Sequence, residues 1–147
     1  MSPTCIFCKI AKREVPSHAV HDDEDSFAFM DIRPIRPGHV LVISKLHIDH
    51  FSDLPDAAAT KVLMVAQRLA RKIRADLKPP RVGLLVGGFA VPHAHLHLVP
   101  LHDDHDLTSQ MYAKVADGRV AYDIANIQPA PPEVLAGMAA RIRNQAG

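Results

Sequence analysis

Residues 93–99 read His-Ala-His-Leu-His-Leu-Val, and this stretch decides the architecture expected for the chain. Histidines alternate with apolar residues, and a period of two predicts a β-strand. Side chains two positions apart share one face of a strand, so the imidazoles of His93, His95 and His97 are expected on one side, about 7 Å apart. The apolar residues between them would then pack against a helix on the opposite face.

Three interpretations of this histidine strand follow from the residues alone. The first is a polar strand face open to water. The second is a catalytic metal site, because neutral imidazoles are good zinc ligands. The third is a histidine nucleophile assisted by its neighbours, since an imidazole pKa near 6.5 leaves the ring largely neutral and able to attack phosphorus. The spacing of the rings does not separate the metal site from the nucleophile.

Composition excludes several other classes of protein. The 147 residues suit one domain with its own core. A formal net charge of +1 argues against nucleic-acid binding. The longest mostly apolar stretch, 82–91, is far shorter than the ~20 residues that span a bilayer, and the N-terminus does not read as a secretory signal. The charge and the short apolar stretch predict no nucleic-acid and no membrane partner. Because the two cysteines cannot staple a fold and no export signal is visible, we expect a cytoplasmic protein.

Hydrophobic periodicity predicts one long helix. Apolar residues step by three and four from Leu54 to Leu77, which places them along one face. Ser52 or Asp53 is expected to cap this helix at its N-terminus. Pro79 and the proline after it are expected to end it, because proline cannot continue a helix.

The remaining elements are shorter. A helix around residues 6–10 ends before Pro16, a proline-rich loop follows at 33–38, and a last helix covers 133–143. No element is predicted in the polar segment 101–132. Strands are predicted over 17–21, 26–32, 39–43, 82–86 and 93–99. The fold class is therefore α+β: a mostly antiparallel five-stranded sheet with one long helix, a short N-terminal helix and an added C-terminal helix.

Four blocks, in order along the chain, resemble the histidine-triad (HIT) family and its bacterial Hint-like branch with a Cys-x-x-Cys zinc pair. They are Ile6–Ile10, Phe29–Ile32, Pro37–Ile43 and His93–Val99, the last matching the alternating histidine motif of the family. The resemblance implies a single HIT domain over residues 1–147, with a core at about 5–100, a C-terminal extension at 101–147, and a homodimer.

The resemblance also implies a reaction. The chain would be a nucleotide hydrolase or nucleotidyl transferase acting on a purine nucleoside 5′-phosphate derivative. His95 would attack the α-phosphorus and form a nucleotidyl-histidine, which water then hydrolyses. His97 and His39 would hold the phosphate oxygens and offset the developing charge. No organic cofactor is implied.

The nucleoside would lie against the first segments of the chain. By resemblance, the base slot is apolar and consists of Ile6, Phe7, Ile10, Phe29 and Ile32. Asp31 would accept hydrogen bonds from the ribose hydroxyls. The alternatives are that the apolar side chains are ordinary core and that Asp31 caps the proline-rich turn.

Two positions depart from the pattern of the family. Phe89 and Ala90 stand where many members have a polar residue followed by a Ser or Thr hydroxyl donor, and the preceding loop is only Gly87-Gly88. Loss of such a donor costs on the order of 3 kcal/mol in an oxyanion-type site. A slow enzyme is therefore predicted. The alternative is a nucleotide-binding, zinc-stabilised interaction module with little or no catalysis.

The cysteine pair indicates a metal site. Cys5-x-x-Cys8 is half of a tetrahedral zinc site by spacing, although such a pair can also be redox-active. The resemblance implies that His47 and His93 complete a structural Cys₂His₂ zinc site. The acidic and histidine-rich segment 102–106 is expected to be a solvated loop. Arg33 and Arg36 are scattered cations that could attract an anionic substrate.

Overall fold

The computed structural model describes residues 2–87, 90–107, 113–122 and 127–145. Its helices are α1 (Ile6–Ala11), α2 (Asp56–Leu77) and α3 (Pro132–Asn144). Its strands are β1 (Ala19–Asp22), β2 (Ser26–Met30), β3 (Val40–Ser44), β4 (Arg81–Gly87), β5 (His95–Leu101), β6 (Ala113–Ala116) and β7 (Arg119–Tyr122). None of the helices within the described residues is long and apolar enough to cross a membrane.

The first five strands form one antiparallel sheet in the order β1-β2-β3-β5-β4. Strand β5 is therefore flanked on both sides, and Leu41 and Leu85 pair with His97 from opposite neighbours. The five-stranded sheet, the long helix and the two shorter helices confirm the predicted fold class.

Each face of the sheet packs against a different helix. On one face, Leu96 and Leu98 of β5 join a core with α2 residues such as Leu69 and Ile73, as the alternating pattern predicted. Helix α3 contributes Leu135, Ala139 and Ile142 to this core. On the other face, a second core forms around α1. The odd-numbered residues of β5, including both strand histidines, lie on the α1 side.

The long helix differs from the prediction at its N-terminal end only. Helix α2 begins at Asp56 with Pro55 as its N-cap, so neither Ser52 nor Asp53 caps it. Those two residues lie in a separate 3₁₀ turn, where His50 accepts a hydrogen bond from the Ser52 N–H. At the C-terminal end, Lys78 takes the left-handed conformation (φ 50°) and the prolines follow, as predicted.

Two further differences concern strands. Strand β5 begins at His95, and His93 lies in the turn before it, where its N–H donates to the Val91 carbonyl. The hairpin β6–β7 lies in the segment for which no element was predicted. Its turn residues, Asp117 and Gly118, both have positive φ (52° and 70°), the conformation that a two-residue hairpin turn requires and that Asp-Gly favours.

Candidate functional site

A cluster of histidine rings lies on the α1 face of the sheet. The rings of His95 and His97, neighbours on that face of β5, have centroids 4.9 Å apart. His39, which immediately precedes β3, places its ring centroid 5.2 Å from that of His97. His93 reaches the same side from the turn before β5. The structure thus brings together His39, His93, His95 and His97, four of the five histidines to which the resemblance gave roles.

The backbone fixes the tautomer of His95. Its Nδ1 lies 2.6 Å from the carbonyl oxygen of His93, and a carbonyl can only accept, so Nδ1 carries the proton. Burial lowers the pKa of His95 and keeps the ring neutral at physiological pH. The lone pair is therefore on Nε2, which is the form in which an imidazole acts as a nucleophile.

The backbone also orders the pair His39 and His97. The N–H of Ile35 donates to Nδ1 of His39 at 3.2 Å, so the proton of that ring is on Nε2. Nε2 of His39 lies 3.0 Å from Nδ1 of His97 and donates to it, which leaves the proton of His97 on its Nε2. His95, a neutral ring with a lone pair on Nε2, therefore stands beside His97, a neutral ring with an N–H donor on Nε2.

Burial holds both of these rings in the neutral state. It lowers the pKa of His39 to about 3, with a further contribution from the charges that His97 and His95 would carry. It lowers the pKa of His97 to about 4, with a smaller contribution from His95. The pair consequently donates hydrogen bonds without carrying a positive charge near neutral pH.

Asp31 lies beside the pair. Its N–H donates to the His39 carbonyl at 3.0 Å, and its Oδ1 accepts from the Arg33 N–H at 2.8 Å. Its Oδ2 is 3.7 Å from Nδ1 of His39, and burial raises the pKa of the carboxyl group. Oδ1 does cap the proline-rich turn, which was one of the two interpretations of this residue, and Oδ2 faces the histidine pair.

The apolar residues assigned to a base slot divide into two groups. Phe7, Ile10 and Phe29 are buried in the core around α1, whereas Ile6 and Ile32 are exposed. The ring of Phe7 meets that of His95 edge-on, with centroids 5.0 Å apart. Phe7, in the buried group, thus contacts the histidine cluster from the core. Ile6 and Ile32 border solvent.

Cys5, Cys8, His47 and His93 converge at the N-terminus of α1. Nδ1 of His93 lies 3.5 Å and 3.6 Å from the Sγ atoms of Cys5 and Cys8, and 3.4 Å from Nδ1 of His47. Nδ1 of His47 lies 3.5 Å from Sγ of Cys8. Tetrahedral zinc with ordinary bond lengths gives S···N distances of about 3.5–3.6 Å and N···N distances of about 3.3–3.4 Å. The donor atoms therefore have the spacing of a Cys₂His₂ zinc site.

The ring of His93 is oriented for such a site by its other nitrogen. Nε2 donates to the Ser44 carbonyl at 2.9 Å, so Nδ1 presents a lone pair to the two cysteines. A second group, Asp31, His39 and His97, is less suited to a single ion. The two nitrogens of His39 face different partners there, and one ion cannot bind both.

The loop before His93 and the segment after β5 complete the surroundings. Ala90 borders a small cavity with Ile6 and His47, while Gly88 and Phe89 lie outside the described residues. The expectation of a solvated loop at 102–106 was wrong for Asp106, which is buried and bound to Arg36.

The two arginines near His39 also differ from the expectation. Arg36 binds the carboxylates of Asp106 and Asp103, and Arg33 donates to the Ile127 carbonyl at 3.0 Å. Both side chains therefore hold loops together rather than standing as scattered charges. The sequence carried no signal for these contacts, because the partners are about 70 and 94 residues apart.

The protein is thus an α+β protein with a histidine cluster on a five-stranded antiparallel sheet, next to a Cys₂His₂ group. Comparison with known proteins identifies its family. The sequence model of the HIT domain matches residues 12–104. The chain belongs to the HIT family.

Three similar proteins illustrate the match. Protein hit of Bacillus subtilis (strain 168) is 34% identical over 128 residues, 84% of this chain and 88% of that protein. Adenosine 5′-monophosphoramidase of Saccharomyces cerevisiae is 36% identical over 105 residues, 71% of this chain and 66% of that protein. The crystal structure of a zinc-bound histidine triad family protein from Mycobacterium smegmatis has a TM-score of 0.72 at 26% identity, covering 95% of this chain and 91% of that chain.

Proposed function

We propose that the chain is a nucleotide hydrolase or nucleotidyl transferase acting at the α-phosphate of a purine nucleoside 5′-phosphate derivative. The observation that carries the proposal is the tautomer of His95, whose Nδ1–H is bound to the His93 carbonyl at 2.6 Å and whose Nε2 lone pair is free to attack. Membership of the family and the similarity to an adenosine 5′-monophosphoramidase support the substrate class.

The reaction proceeds in two displacements. Nε2 of His95 attacks the α-phosphorus, a P–N bond forms, and the bond to the leaving group breaks with its electron pair. The ring then carries a positive charge, so its Nδ1–H bond to the His93 carbonyl becomes charge-assisted and stronger. Water next attacks phosphorus, the P–N bond breaks, and the electron pair returns to Nε2. Water releases one proton to solvent, which balances the proton that the leaving group takes up. In the transferase reaction another nucleophile replaces water.

His97 and His39 stabilise the charge that develops on phosphorus oxygens. Nε2–H of His97 points its proton away from His39 and donates to a non-bridging oxygen in both displacements. Because the pKa of His97 is about 4, the donor keeps its proton and remains neutral over the physiological range. The donor strength therefore does not depend on pH near 7.

The nucleoside lies along α1 and the end of β2. Phe7 and Phe29 form the base of the apolar slot, with Ile10 behind them, and the exposed side chains of Ile6 and Ile32 close over the purine. Asp31 accepts from the ribose hydroxyls through Oδ2, since Oδ1 is bound to the Arg33 N–H.

The Cys5, Cys8, His47 and His93 group holds a structural zinc ion. The matching donor distances support this, as does the zinc-bound relative from Mycobacterium smegmatis. Four protein ligands leave no open position, so the ion would supply rigidity rather than a reactive water. Reduced cysteines that hold zinc suit a reducing compartment, which supports a cytoplasmic location.

The chain acts as a single domain and forms a homodimer through the β4 edge of the sheet. Leu84, Leu85 and Val86 are exposed on that edge strand, and Leu63 and Met64 are exposed on the adjacent helix α2. An unpaired apolar edge strand is a template for pairing with another chain. A second copy presents the same complementary edge, which makes a twofold interface the simplest way to cover it.

Turnover is slow because Ala90 cannot donate a hydrogen bond from its side chain. Ala90 is exposed and borders a small cavity with Ile6 and His47, and it stands where the resemblance implies a hydroxyl donor in many family members. The same observation favours the second candidate, a nucleotide-binding module with little catalysis. The two candidates differ in whether a covalent intermediate forms.

Intact-protein mass spectrometry after brief exposure to adenosine 5′-phosphoramidate tests the proposal. The wild type and a His105→Ala control are expected to gain one nucleotidyl group or release nucleotide, and His95→Ala to do neither. A wild type that binds nucleotide in calorimetry but gives no adduct and no product would overturn the enzymatic proposal in favour of the binding module. Turnover retained by His95→Ala would overturn the assignment of the nucleophile.

A further inference from the structure

Asp106 is a buried carboxylate on the loop that follows β5. Its residue exposure is only 3%. Its Oδ2 accepts from the N–H groups of His102 and Asp103 at 2.6 Å and 3.2 Å, and its Oδ1 accepts from Nε of Arg36 at 2.6 Å. A buried charge is costly unless it is paired, and here the carboxylate is satisfied from both sides. The loop after β5 is therefore anchored to Arg36.

Arg36 belongs to the turn that sets the position of His39. Its carbonyl oxygen accepts the His39 N–H at 3.0 Å, and its Nη2 makes a second ion pair, with Asp103 at 3.0 Å. The residue before it, Ile35, is the one whose N–H donates to Nδ1 of His39. Arg36 thus joins the loop after β5 to the turn before β3, in which His39 lies.

The two possible tautomers of His39 are in competition at this point. The Ile35 N–H favours a lone pair on Nδ1, whereas the Asp31 carboxylate, with Oδ2 at 3.7 Å, favours a proton there. If the proton moved to Nδ1, Nε2 of His39 would become an acceptor. His97 would then donate from its own Nδ1 and present a lone pair, not a proton, to the substrate.

We propose that the ion pair between Arg36 and Asp106 is a positioning device that keeps the Ile35 N–H on His39 and so keeps His97 a hydrogen-bond donor. The inference rests on the proposed function for its catalytic consequence. Its structural part, the direction of the hydrogen bond from His39 to His97, stands by itself. Neither Arg36 nor Asp106 touches the reacting atoms; they act through the turn.

Kinetics of three variants of the ion pair and one control variant test the proposal. Arg36→Gln and Asp106→Asn are expected to lower kcat about tenfold or more while the KM for nucleotide changes about twofold or less, because a transition-state donor is lost and the nucleoside slot is not. Arg36→Lys, which can still reach Asp106 with one donor, should recover part of the loss. Asp104→Asn makes the same charge change in the same loop at a side chain that is 89% exposed, and it should behave as the wild type.

Nuclear magnetic resonance supplies a readout that does not require turnover. The ¹⁵N shifts of the ring nitrogens of His39 and His97 should show Nε2 protonated on both rings in the wild type and in Asp104→Asn, and the other tautomer populated in Arg36→Gln. If the wild type turns over no nucleotide, the proposed function fails while these shifts still decide the inference. The side chain of Arg36 is one-third exposed, so its replacement is expected to leave the chain folded. The Arg36 variants therefore still test the inference if Asp106→Asn does not fold.

A purely structural role gives a different result. The variants would then melt at a lower temperature than the wild type. When assayed below that melting temperature, they would have an unchanged kcat and unchanged tautomers of His39 and His97. That outcome would overturn the inference.

Discussion

The neutrality of His39 and His97 predicts that acid destabilises this protein by a calculable amount. In the unfolded chain both rings have a pKa near 6.5, whereas in the folded chain burial lowers these values to about 3 and about 4. Between those limits the unfolded state binds more protons, so stability is complete above pH 7 and falls as the pH falls through 6.5. Each ring costs about 1.9 kcal/mol of unfolding free energy between pH 7 and pH 5.

Urea unfolding of the wild type and of His97→Asn at both pH values measures this cost. The wild type should lose more stability on acidification than the variant, by about 2 kcal/mol. Comparing the two proteins cancels other titrating groups, including Asp31, whose raised pKa acts in the opposite direction. At pH 5 His39 remains neutral in the wild type, since its pKa is about 3 and burial is the largest cause of the shift.

A His105→Asn variant, altered at an exposed ring, is the control and should follow the wild type. Equal losses of stability between pH 7 and pH 5 in the wild type and in His97→Asn would mean that burial does not lower the pKa of His97. That ring would then become protonated in the folded state over this pH range. That result would refute the neutral donor pair and the mechanism built on it.

Three further predictions concern the metal site, the interface and the turn before His39. Cys8→Ser should reduce bound zinc, measured by elemental mass spectrometry, from one ion per chain to substoichiometric amounts and lower the melting temperature; zinc retained in full would contradict the ligand assignment. Leu85→Asp should convert a dimer to a monomer in light scattering, whereas an unchanged mass would place the interface elsewhere. Gly38→Ala should destabilise the fold by about 2 kcal/mol in urea unfolding, because φ there is +96° and a Cβ would collide with Leu77; a neutral effect would show that the turn can relax.

The fold was predictable where buried apolar residues recur at a regular spacing within one segment. The alternation in 93–99 placed Leu96 and Leu98 against the long helix, and the three-and-four spacing of that helix placed Leu69 and Ile73 in the same core. These patterns are local, so each segment carries its own signal. The hairpin β6–β7 was not predicted, because the polar composition around Asp117-Gly118 obscured this turn signal.

The ends of elements were less predictable, because neighbouring contacts decide them. His93 alternates with His95 in the sequence, yet the chain turns between Val91 and His93 and the strand starts two residues later. Ser52 is a good capping residue, but a separate 3₁₀ turn takes it up and Pro55 serves the helix. Propensity identifies residues that can cap or extend, and packing selects among them.

Long-range convergence was the least predictable part of the site. Spacing within a strand predicts that His95 and His97 are neighbours, but the meeting of Cys8 with His47 was implied only by the resemblance to the family. The contact between Arg36 and Asp106 spans two loops, and no periodic pattern carries information about it. Loops lack the repeated burial from which strands and helices are recognised.

Main-chain groups set the tautomers of three of the four rings in the cluster. The Ser44 carbonyl binds Nε2 of His93, the His93 carbonyl binds Nδ1 of His95, and the Ile35 amide binds Nδ1 of His39. The fourth ring, His97, takes its tautomer from its hydrogen bond with His39. His93 serves both centres: its ring faces the cysteines and its carbonyl orients His95. Its ring and its carbonyl are separable, so replacing the ring is expected to affect the proposed zinc site directly and His95 only through displacement of the backbone. The site depends on its turns as much as on its histidines.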